Sequence, residues 1–442
     1  MAIVFKFGGT SMGSAENLKT ISQIIGKKLN QKPVIIVSAI AGVTDLLLDS
    51  LKNKQSFEII KQKHLHLLTE AKLDSNLLNA EFQELKELLD AVHALRKAQS
   101  KVADSEKLAD NVISFGERMA AKILAEVLNQ KGISAKSFCS WDLGLTTDSN
   151  FGNAKPLKES FSKIKQKISK LKIVPVVTGF IGKDRHGEIT TLGRGGSDYS
   201  ASIFAYALTA SALEIWKDVS GLYSADPRFI PNAKKIENIA FDEAAELSYF
   251  GAKVLHPKTI ILPLQKNIPV KILNTFRPKD KGTTIFANSK KVSQGAKAIS
   301  LKKNMTLIDL HSPEMIDQHG FMAFLFEVFR DEKISVDVIT TSTANVTVVV
   351  DKPNPVNLQN AVKKLSKLFT VTVKPSLSAL CIVGKGLAEN GKVTSTILKT
   401  LSEKRIPIEV VSIGASKLNM TLVLQEKYGI KAMQILHKKL IE

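Results

Sequence analysis

Short strand patterns, including the continuous apolar run VIIV at residues 34–37, alternate with helical patterns through most of this chain, and that alternation limits its fold more than any other feature. Residues 3–7 predict a strand, and the next segment places Leu18, Ile21 and Ile25 on one face of a helix. Further strands are predicted at residues 33–38, 173–178 and 213–217. Runs that are apolar throughout suit strands buried on both faces of a parallel sheet. We therefore expect an α/β fold with a mostly parallel sheet and right-handed crossovers.

The pattern changes in two places. Residues 46–108 are rich in Leu, Lys and Glu and contain no glycine, which indicates a helical excursion from the sheet before a helix at about 110–130. Residues 288–295 predict a linker. Strands are predicted beyond it at residues 305–310, 334–341, 344–350, 369–374, 378–384, 406–413 and 417–424, and helices at 320–332, 356–368, 391–404 and 428–441. This order is close to two copies of βαββαβ, which predicts two small ferredoxin-like modules.

The net charge narrows the range of partners. The 442 residues suffice for roughly three domains of about 150 residues each. With 62 Lys and Arg against 42 Asp and Glu, the formal charge is +20. That excess favours nucleic acid, an acidic membrane surface or phosphorylated small molecules, or else it is a solvated lysine-rich surface. The lysines are dispersed without interleaved aromatic residues, which argues against nucleic acid.

Cysteine usage and the termini bear on the compartment. Cys139 and Cys381 are the two cysteines and show no CxxC spacing, so neither a disulfide framework nor a thiolate metal site is predicted. The amino terminus does not resemble a signal peptide, and no run approaches the roughly 18 apolar residues of a membrane span. We expect a soluble cytoplasmic protein, and no further domain after the second module, because the sequence stops at Glu442.

Two glycine-rich loops are candidates for anion binding. Residues 6–11, KFGGTS, place a lysine at a strand end before two glycines and two hydroxyls. This arrangement suits a phosphate, or it is only a tight turn. Residues 191–200, TLGRGGSDYS, add Arg194, which can grip a carboxylate, and Asp198, which either caps a helix or positions a lysine or a substrate group.

Three further segments carry charged groups. Glu117 lies on the apolar stripe of its helix, which is costly unless a substrate ammonium or a structural cation meets it. Residues 216–228, WKDVSGLYSADPR, follow a strand, as a nucleotide-binding loop does, although the Asp-Pro pair is also a turn signal. In residues 250–257, FGAKVLHP, Lys253 is either a second phosphate-binding lysine or a surface lysine.

Together these loops resemble those of the aspartate kinases in the amino acid kinase family. The segments that carry the resemblance, between Phe5 and about His437, are KFGGTS, VSAIAGVTD, FGER, TTLGRGGSDYS, KDVSGLYSADPR and FGAKVLHP. The chain is similar to the monofunctional, lysine-sensitive type. The resemblance implies a three-layer α/β/α kinase domain at residues 1–288, followed by two ACT domains, the ferredoxin-like modules, at residues 305–375 and 376–442.

The resemblance also implies an activity and its partners. ATP, with Mg²⁺ held by its phosphates and no metal site on the protein, would phosphorylate the β-carboxylate of L-aspartate to give 4-phospho-L-aspartate. This reaction is the first step of lysine (diaminopimelate), threonine and methionine biosynthesis. Feedback inhibition by lysine and a homodimer formed through the ACT domains are implied as well. Since a carboxylate is already a nucleophile, the transfer needs positioning and charge neutralisation but no general base.

The resemblance assigns a role to each matching residue. Lys6 would stabilise the transferring phosphoryl group, and Asp198 would hold Lys6. Aspartate would be bound by Ser38, Thr44, Glu117, Arg194 and Ser197. ATP would be bound by Lys6, Gly8, Gly9, Lys217, Asp218, Tyr223, Arg228 and Lys253. The effector would be bound by Met315, Gly320, Phe321, Met322, Val336, Asp337 and Thr340.

Two positions depart from the family pattern, and other functions compete. Lys217 stands where many relatives have threonine, and Thr343 replaces a common glutamate, which removes one effector contact. The rival enzymes on this fold are kinases of glutamate, N-acetylglutamate, carbamate or UMP. A nucleic-acid-binding protein and a ligand-sensing ACT regulator on an inactive kinase fold are the alternatives from other classes.

Overall fold

The structure, a computed structural model, describes residues 2–98, 105–249, 258–286, 295–316, 319–387 and 391–442. The predicted linker lies almost wholly outside these ranges. Strands in the first 286 residues are β1 (Ile3–Phe7), β2 (Pro33–Val37), β3 (Ala135–Phe138), β4 (Val174–Thr178), β5 (Ile181–Lys183), β6 (Ile189–Thr191), β7 (Leu213–Lys217), β8 (Leu222–Tyr223), β9 (Lys235–Ile236), β10 (Asn238–Ala240), β11 (Val270–Asn274) and β12 (Thr283–Phe286). Helices there are α1 (Ala15–Gly26), α2 (Val43–Ser50), α3 (Gln55–Glu70), α4 (Asn79–Lys97), α5 (Glu106–Gln130), α6 (Glu159–Ser169), α7 (Gly196–Leu208), α8 (Phe241–Tyr249) and α9 (Lys258–Gln265).

The rest of the chain has six strands and four helices within the described ranges. They are β13 (Ala298–His311), α10 (Phe321–Asp331), β14 (Val336–Thr341), β15 (Asn345–Asp351), α11 (Pro355–Leu365), β16 (Thr370–Val383), α12 (Gly391–Glu403), β17 (Val410–Ile413), β18 (Asn419–Gln425) and α13 (Glu426–Leu440). The chain divides into two compact units. The first unit takes the described residues of 1–222, 235–241 and 253–291, and the second takes those of 223–234, 242–252 and 292–442.

An eight-stranded sheet forms the centre of the first unit, in the order β10-β12-β11-β7-β1-β2-β4-β3. From β11 to β3 every neighbouring pair is parallel. At the other edge, β12 runs antiparallel to β11, and β10 runs parallel to β12. All five residues of β1 and all five of β2 are buried. Both are central parallel strands, and the apolar run of β2 is buried on both faces, as the sequence predicts.

Alternate residues of β1 serve the two faces of this sheet. Phe5 and Phe7 pack into one large core with Leu18 and Ile21 of α1. The core also includes the buried faces of α3, α4 and α5, so the predicted helical excursion adds to the same layer. Lys6 points to the opposite face, where it meets α7. The sheet thus lies between two helical layers, which is the expected α/β/α arrangement.

A six-stranded antiparallel sheet, in the order β14-β15-β13-β16-β18-β17, forms the second unit. Two separate hydrophobic cores lie along it, one with α10 and α11 and the other with α12 and α13. Two modules are present, as the βαββαβ pattern predicts. No helix within the described ranges is long and apolar enough to cross a membrane.

The two modules share β13 and β16, which are longer than the sequence predicts. The first part of β13, residues 298–302, pairs with residues 379–383 of β16, and the remainder pairs with residues 370–377. The sequence predicts separate strands at 369–374 and 378–384. In the structure Ser376 takes a positive φ of 59° and the register shifts, so the strand bends and continues.

Candidate active site

A cavity of 720 Å³ lies in the first unit, where β1 and β2 end. Open α/β sheets bind ligands at the carboxyl ends of their parallel strands. The first turn of α7 also lines this cavity, and helix amino termini favour anions. Seven of the predicted site residues line it: Lys6, Ser38, Thr44, Glu117, Arg194, Ser197 and Asp198. Side chains that are far apart in the sequence therefore meet in one place.

Asp198 forms ion pairs with two lysines from neighbouring strands. Its Oδ1 atom lies 2.7 Å from Lys6 Nζ, and its Oδ2 atom lies 2.9 Å from Lys217 Nζ. The strands β1 and β7 are parallel neighbours, so both lysines reach α7 from the same face of the sheet. The side chains of Lys6 and Asp198 are each 7% exposed and that of Lys217 is 19% exposed.

The charges of this cluster shift the pKa values of Asp198 and Lys6. Burial opposes ionisation of Asp198, but the ammonium groups of Lys6 and Lys217 outweigh it and lower the pKa of Asp198 to about 2. Burial lowers the pKa of Lys6, while Asp198 acts in the opposite direction and Lys217 adds to the lowering. One carboxylate therefore forms ion pairs with two lysine side chains.

Glu117 enters the cavity from α5 as an incompletely satisfied carboxyl group. Its Oε1 atom accepts a hydrogen bond of 3.1 Å from the Ala39 N–H. Its Oε2 atom is buried and has no hydrogen-bond partner among the described residues. Burial raises the pKa of Glu117 to about 8. A buried acceptor without a partner is costly, so this atom is prepared for a donor that arrives with a ligand.

Asp110 is a site residue that the sequence analysis missed. It lines the cavity, and its carboxylate accepts hydrogen bonds of 2.8 Å from the N–H groups of Gly152 and Thr191 and one of 2.7 Å from Thr191 Oγ1. These bonds fix the start of the 191–197 loop. Asp110 lies seven residues before Glu117 and thus on the same helix face. That seven-residue spacing is the sequence signal by which Asp110 could have been identified.

Glycine is required in the first loop by close packing. A Cβ atom on Gly9 would lie 2.6 Å from Ala39 O and 3.0 Å from Ala41 N. Backbone atoms cannot give way at such distances. The Gly8 N–H donates to Trp216 O at 3.2 Å. The loop is thus locked against the ends of β2 and β7, which fixes the direction of Lys6.

The residues predicted to bind ATP are spread more widely. Lys217 reaches Asp198, and Asp218 after it is exposed. Tyr223 and Arg228 belong to the second unit, where Arg228 pairs with Asp226 at 2.6 Å. Lys253 lies outside the described residues. Within the described residues, the first unit therefore holds Lys6, Gly8, Gly9, Lys217 and Asp218 of the residues predicted to bind ATP.

The predicted effector residues gather in the second unit. Met315 ends a short 3₁₀ helix, Gly320 precedes α10, and α10 begins with Phe321 and Met322. The strand β14 carries Val336, Asp337 and Thr340. In the same unit Asp337 accepts a hydrogen bond of 2.8 Å from Tyr249 Oη and lies 3.1 Å from Lys302 Nζ. Asp337 thus already has a cation beside it.

Metal binding by the protein alone finds no support in the described part of the chain. It contains no group of three or more His, Cys, Asp or Glu side chains that could hold a metal ion. Two acidic residues of the cavity are held by other groups: Asp198 by two lysines and Asp110 by the loop amides.

Family comparisons agree with this architecture. Residues 1–274 match the amino acid kinase family, and residues 308–369 and 380–440 match the ACT domain. Lysine-sensitive aspartokinase 3 of Escherichia coli is 33% identical, and the alignment covers 100% of this chain and 99% of that protein.

Solved structures give the same result. The structure of E. coli aspartokinase III in complex with aspartate and ADP (R-state) superposes with a TM-score of 0.85 and 30% identity. The same enzyme in complex with lysine and aspartate (T-state) gives 0.81 and 31%. Both superpositions cover 100% of both chains.

Proposed function

Because this chain belongs to the aspartokinases of the amino acid kinase family, we propose how its own residues perform the reaction of an aspartate kinase. That reaction uses ATP to phosphorylate the β-carboxylate of L-aspartate, and it serves amino-acid biosynthesis. We propose residues 1–288 as the catalytic domain, and residues 305–375 and 376–442 as the regulatory ACT domains.

Glu117 recognises the substrate ammonium. Its unpartnered Oε2 atom is the observation that supports this substrate best, because an aspartate ammonium would supply the missing donor in a buried place. Arg194 lines the same cavity and has no ion-pair partner among the described residues, so its guanidinium can bind the α-carboxylate. Ser38, Thr44 and Ser197 surround the remaining space. The β-carboxylate is thereby directed towards Lys6.

Lys6 neutralises charge during the transfer. A β-carboxylate oxygen attacks the γ-phosphorus as the bond to the ADP oxygen breaks, and negative charge on the equatorial oxygens is met by the ammonium of Lys6. Asp198 holds Lys6 from the side through the 2.7 Å ion pair. Preorganised charge of this kind is the main contribution a protein makes to phosphoryl transfer.

ATP and Mg²⁺ enter together in this proposal. In this proposal Mg²⁺ would be held by the ATP phosphates and would supply charge neutralisation there. For the nucleotide we keep Gly8, Gly9, Asp218, Tyr223, Arg228 and Lys253 of the predicted set. The observations that support the phosphate end are the rigid turn at Gly9 and the cationic cluster on Asp198.

Hydroxylamine trapping tests the activity. Purified protein with ATP, Mg²⁺ and L-aspartate is expected to give aspartyl hydroxamate, because the acyl phosphate reacts with hydroxylamine. L-Glutamate and N-acetyl-L-glutamate serve as matched alternative acceptors. Turnover with either of these acceptors and none with L-aspartate would reassign the substrate. A complete lack of turnover would favour the regulator on an inactive kinase fold.

Lysine regulation has its own test. We expect saturating L-lysine to inhibit the enzyme and to raise its melting temperature, because Asp337 can exchange Lys302 for the ligand ammonium. Asp337→Asn should raise the lysine concentration needed for both effects by about tenfold. Asp331→Asn, which removes an exposed ion pair with Arg330, should leave that concentration unchanged. If saturating lysine changes neither activity nor melting temperature, this regulation is abandoned.

Assembly and location complete the proposal. We propose a homodimer in which ACT domains pair edge to edge. The edge strand β17 exposes Val411 and Ile413, at 42% and 47%, which supports pairing there. Sedimentation velocity at micromolar concentration would show a monomer if this is incorrect.

A cytoplasmic location is supported by the free thiols of Cys139 and Cys381, and fractionation of cells would test it.

A further inference from the structure

Lys217 occupies a place that the nucleotide-loop pattern does not explain. The sequence assigns it to ATP binding, at a position where many relatives have threonine. In the structure its ammonium lies 2.9 Å from Asp198 Oδ2, and the other oxygen of that carboxylate lies 2.7 Å from Lys6. The two lysines therefore bind opposite oxygens of one buried carboxylate.

The charge balance gives this arrangement a consequence. A single Lys6–Asp198 pair is neutral, so Asp198 would cancel much of the attraction that Lys6 exerts on a phosphoryl group. With Lys217 on the second oxygen, the cluster has two positive charges and one negative charge. The side chain of Lys6 is 7% exposed, so water screens the surplus positive charge there poorly. A dianionic phosphoryl group would compensate it.

We propose that Lys217 is a positioning residue of the phosphoryl-transfer centre, which neutralises Asp198 so that the charge of Lys6 remains available to the transferring phosphoryl group. This inference rests on the proposed function of Lys6. It differs from that function because Lys217 acts through Asp198 rather than on the nucleotide. The lowered pKa of Asp198 agrees with two cations on one carboxylate.

Three variants at this position separate charge from shape. Lys217→Met removes the charge at similar length, Lys217→Thr restores the residue common in relatives, and Lys217→Arg keeps the charge. We expect the Met and Thr variants to lose about 10- to 100-fold in kcat, with KM for ATP changed less than threefold. The Arg variant should stay within about threefold of wild type.

The pH profile provides a readout that a purely structural role would not move. The charged groups that act on Lys6 within the described residues are Asp198 on α7, Lys217 on β7 and Glu117 on α5. Without Lys217 the pKa of Asp198 rises, and the pKa of Lys6 also rises because one repulsive neighbour is gone. Both limbs of the kcat profile are therefore expected to move to higher pH in Lys217→Met.

The control is Lys271→Met. Lys271 lies on the adjacent strand β11 and pairs in register with Glu214, so it belongs to the opposite sheet face. The Lys271→Met substitution should leave kcat and the pH profile unchanged.

A Lys217→Met protein with wild-type kcat and raised KM for ATP would overturn the inference and restore a nucleotide contact. Inactivity of the wild type with aspartate would instead refute the proposed function, and melting temperatures identify variants that fail to fold.

Discussion

The Lys6→Ala protein is expected to form almost no aspartyl phosphate, with kcat reduced by about 1,000-fold or more. Lys6 is the buried ammonium at the end of β1, and Gly9 and Trp216 fix the turn that follows it. No other described cation lines the cavity beside the transfer path except Arg194, which is expected to hold the substrate carboxylate. Hydroxamate formation at saturating ATP and aspartate measures the loss.

A lysine elsewhere on the surface supplies the control. Lys54 forms an exposed ion pair with Asp90, so Lys54→Ala should keep full activity and nearly full stability. The Lys6→Ala protein should also remain folded, since Asp198 keeps Lys217 as a partner. Normal turnover in a folded Lys6→Ala protein would remove Lys6 from the mechanism.

The Glu117→Gln protein is expected to lose aspartate binding while gaining stability. The amide keeps the shape of the side chain but cannot neutralise an ammonium group, so KM for aspartate should rise by about 100-fold and KM for ATP should change little. Initial rates against each substrate separate the two effects. Wild-type binding of aspartate should also strengthen as pH rises towards 8, because the pKa of Glu117 is raised to about 8.

The sign of the stability change follows from that pKa. An acid whose pKa is raised in the folded state favours unfolding once pH exceeds its unfolded pKa, and the loss grows until pH reaches the folded pKa. For Glu117 this window runs from 4.5 to about 8, and at neutral pH the cost is about 3 kcal/mol. Glu117→Gln should therefore melt at a higher temperature than wild type at pH 7. A lower melting temperature with unchanged KM would mean that Glu117 is a structural residue.

Local sequence signals were sufficient for the parallel sheet and for most of the cavity. The strands predicted at residues 33–38 and 173–178 occur within one residue of those positions, because a strand buried on both faces is apolar whatever its neighbours are. Lys6, Arg194 and Asp198 belong to short glycine-rich loops, where the backbone constraint and the chemistry are adjacent in the sequence. Such features can be recognised without knowledge of the fold.

Features that depend on tertiary structure were not predictable in the same way. The pairing of Lys217 with Asp198 requires β7 to lie beside β1 and α7 to cover that face. The role of Asp110 depends on the path of the 191–197 loop. The continuity of β16 past Pro375 depends on a partner strand that holds the bend. In each case a partner distant in the sequence decides the result.

The strands shared by the two modules also set an order of assembly. Ala298 pairs with Val383, and the whole first module lies between them in the sequence. During synthesis, residues 298–302 therefore leave the ribosome long before the strand that will cover them exists. Closing so long a loop costs chain entropy, which a folded first module reduces by bringing its two ends together. Folding of the first module thus brings together the two strand segments from which the second module is built.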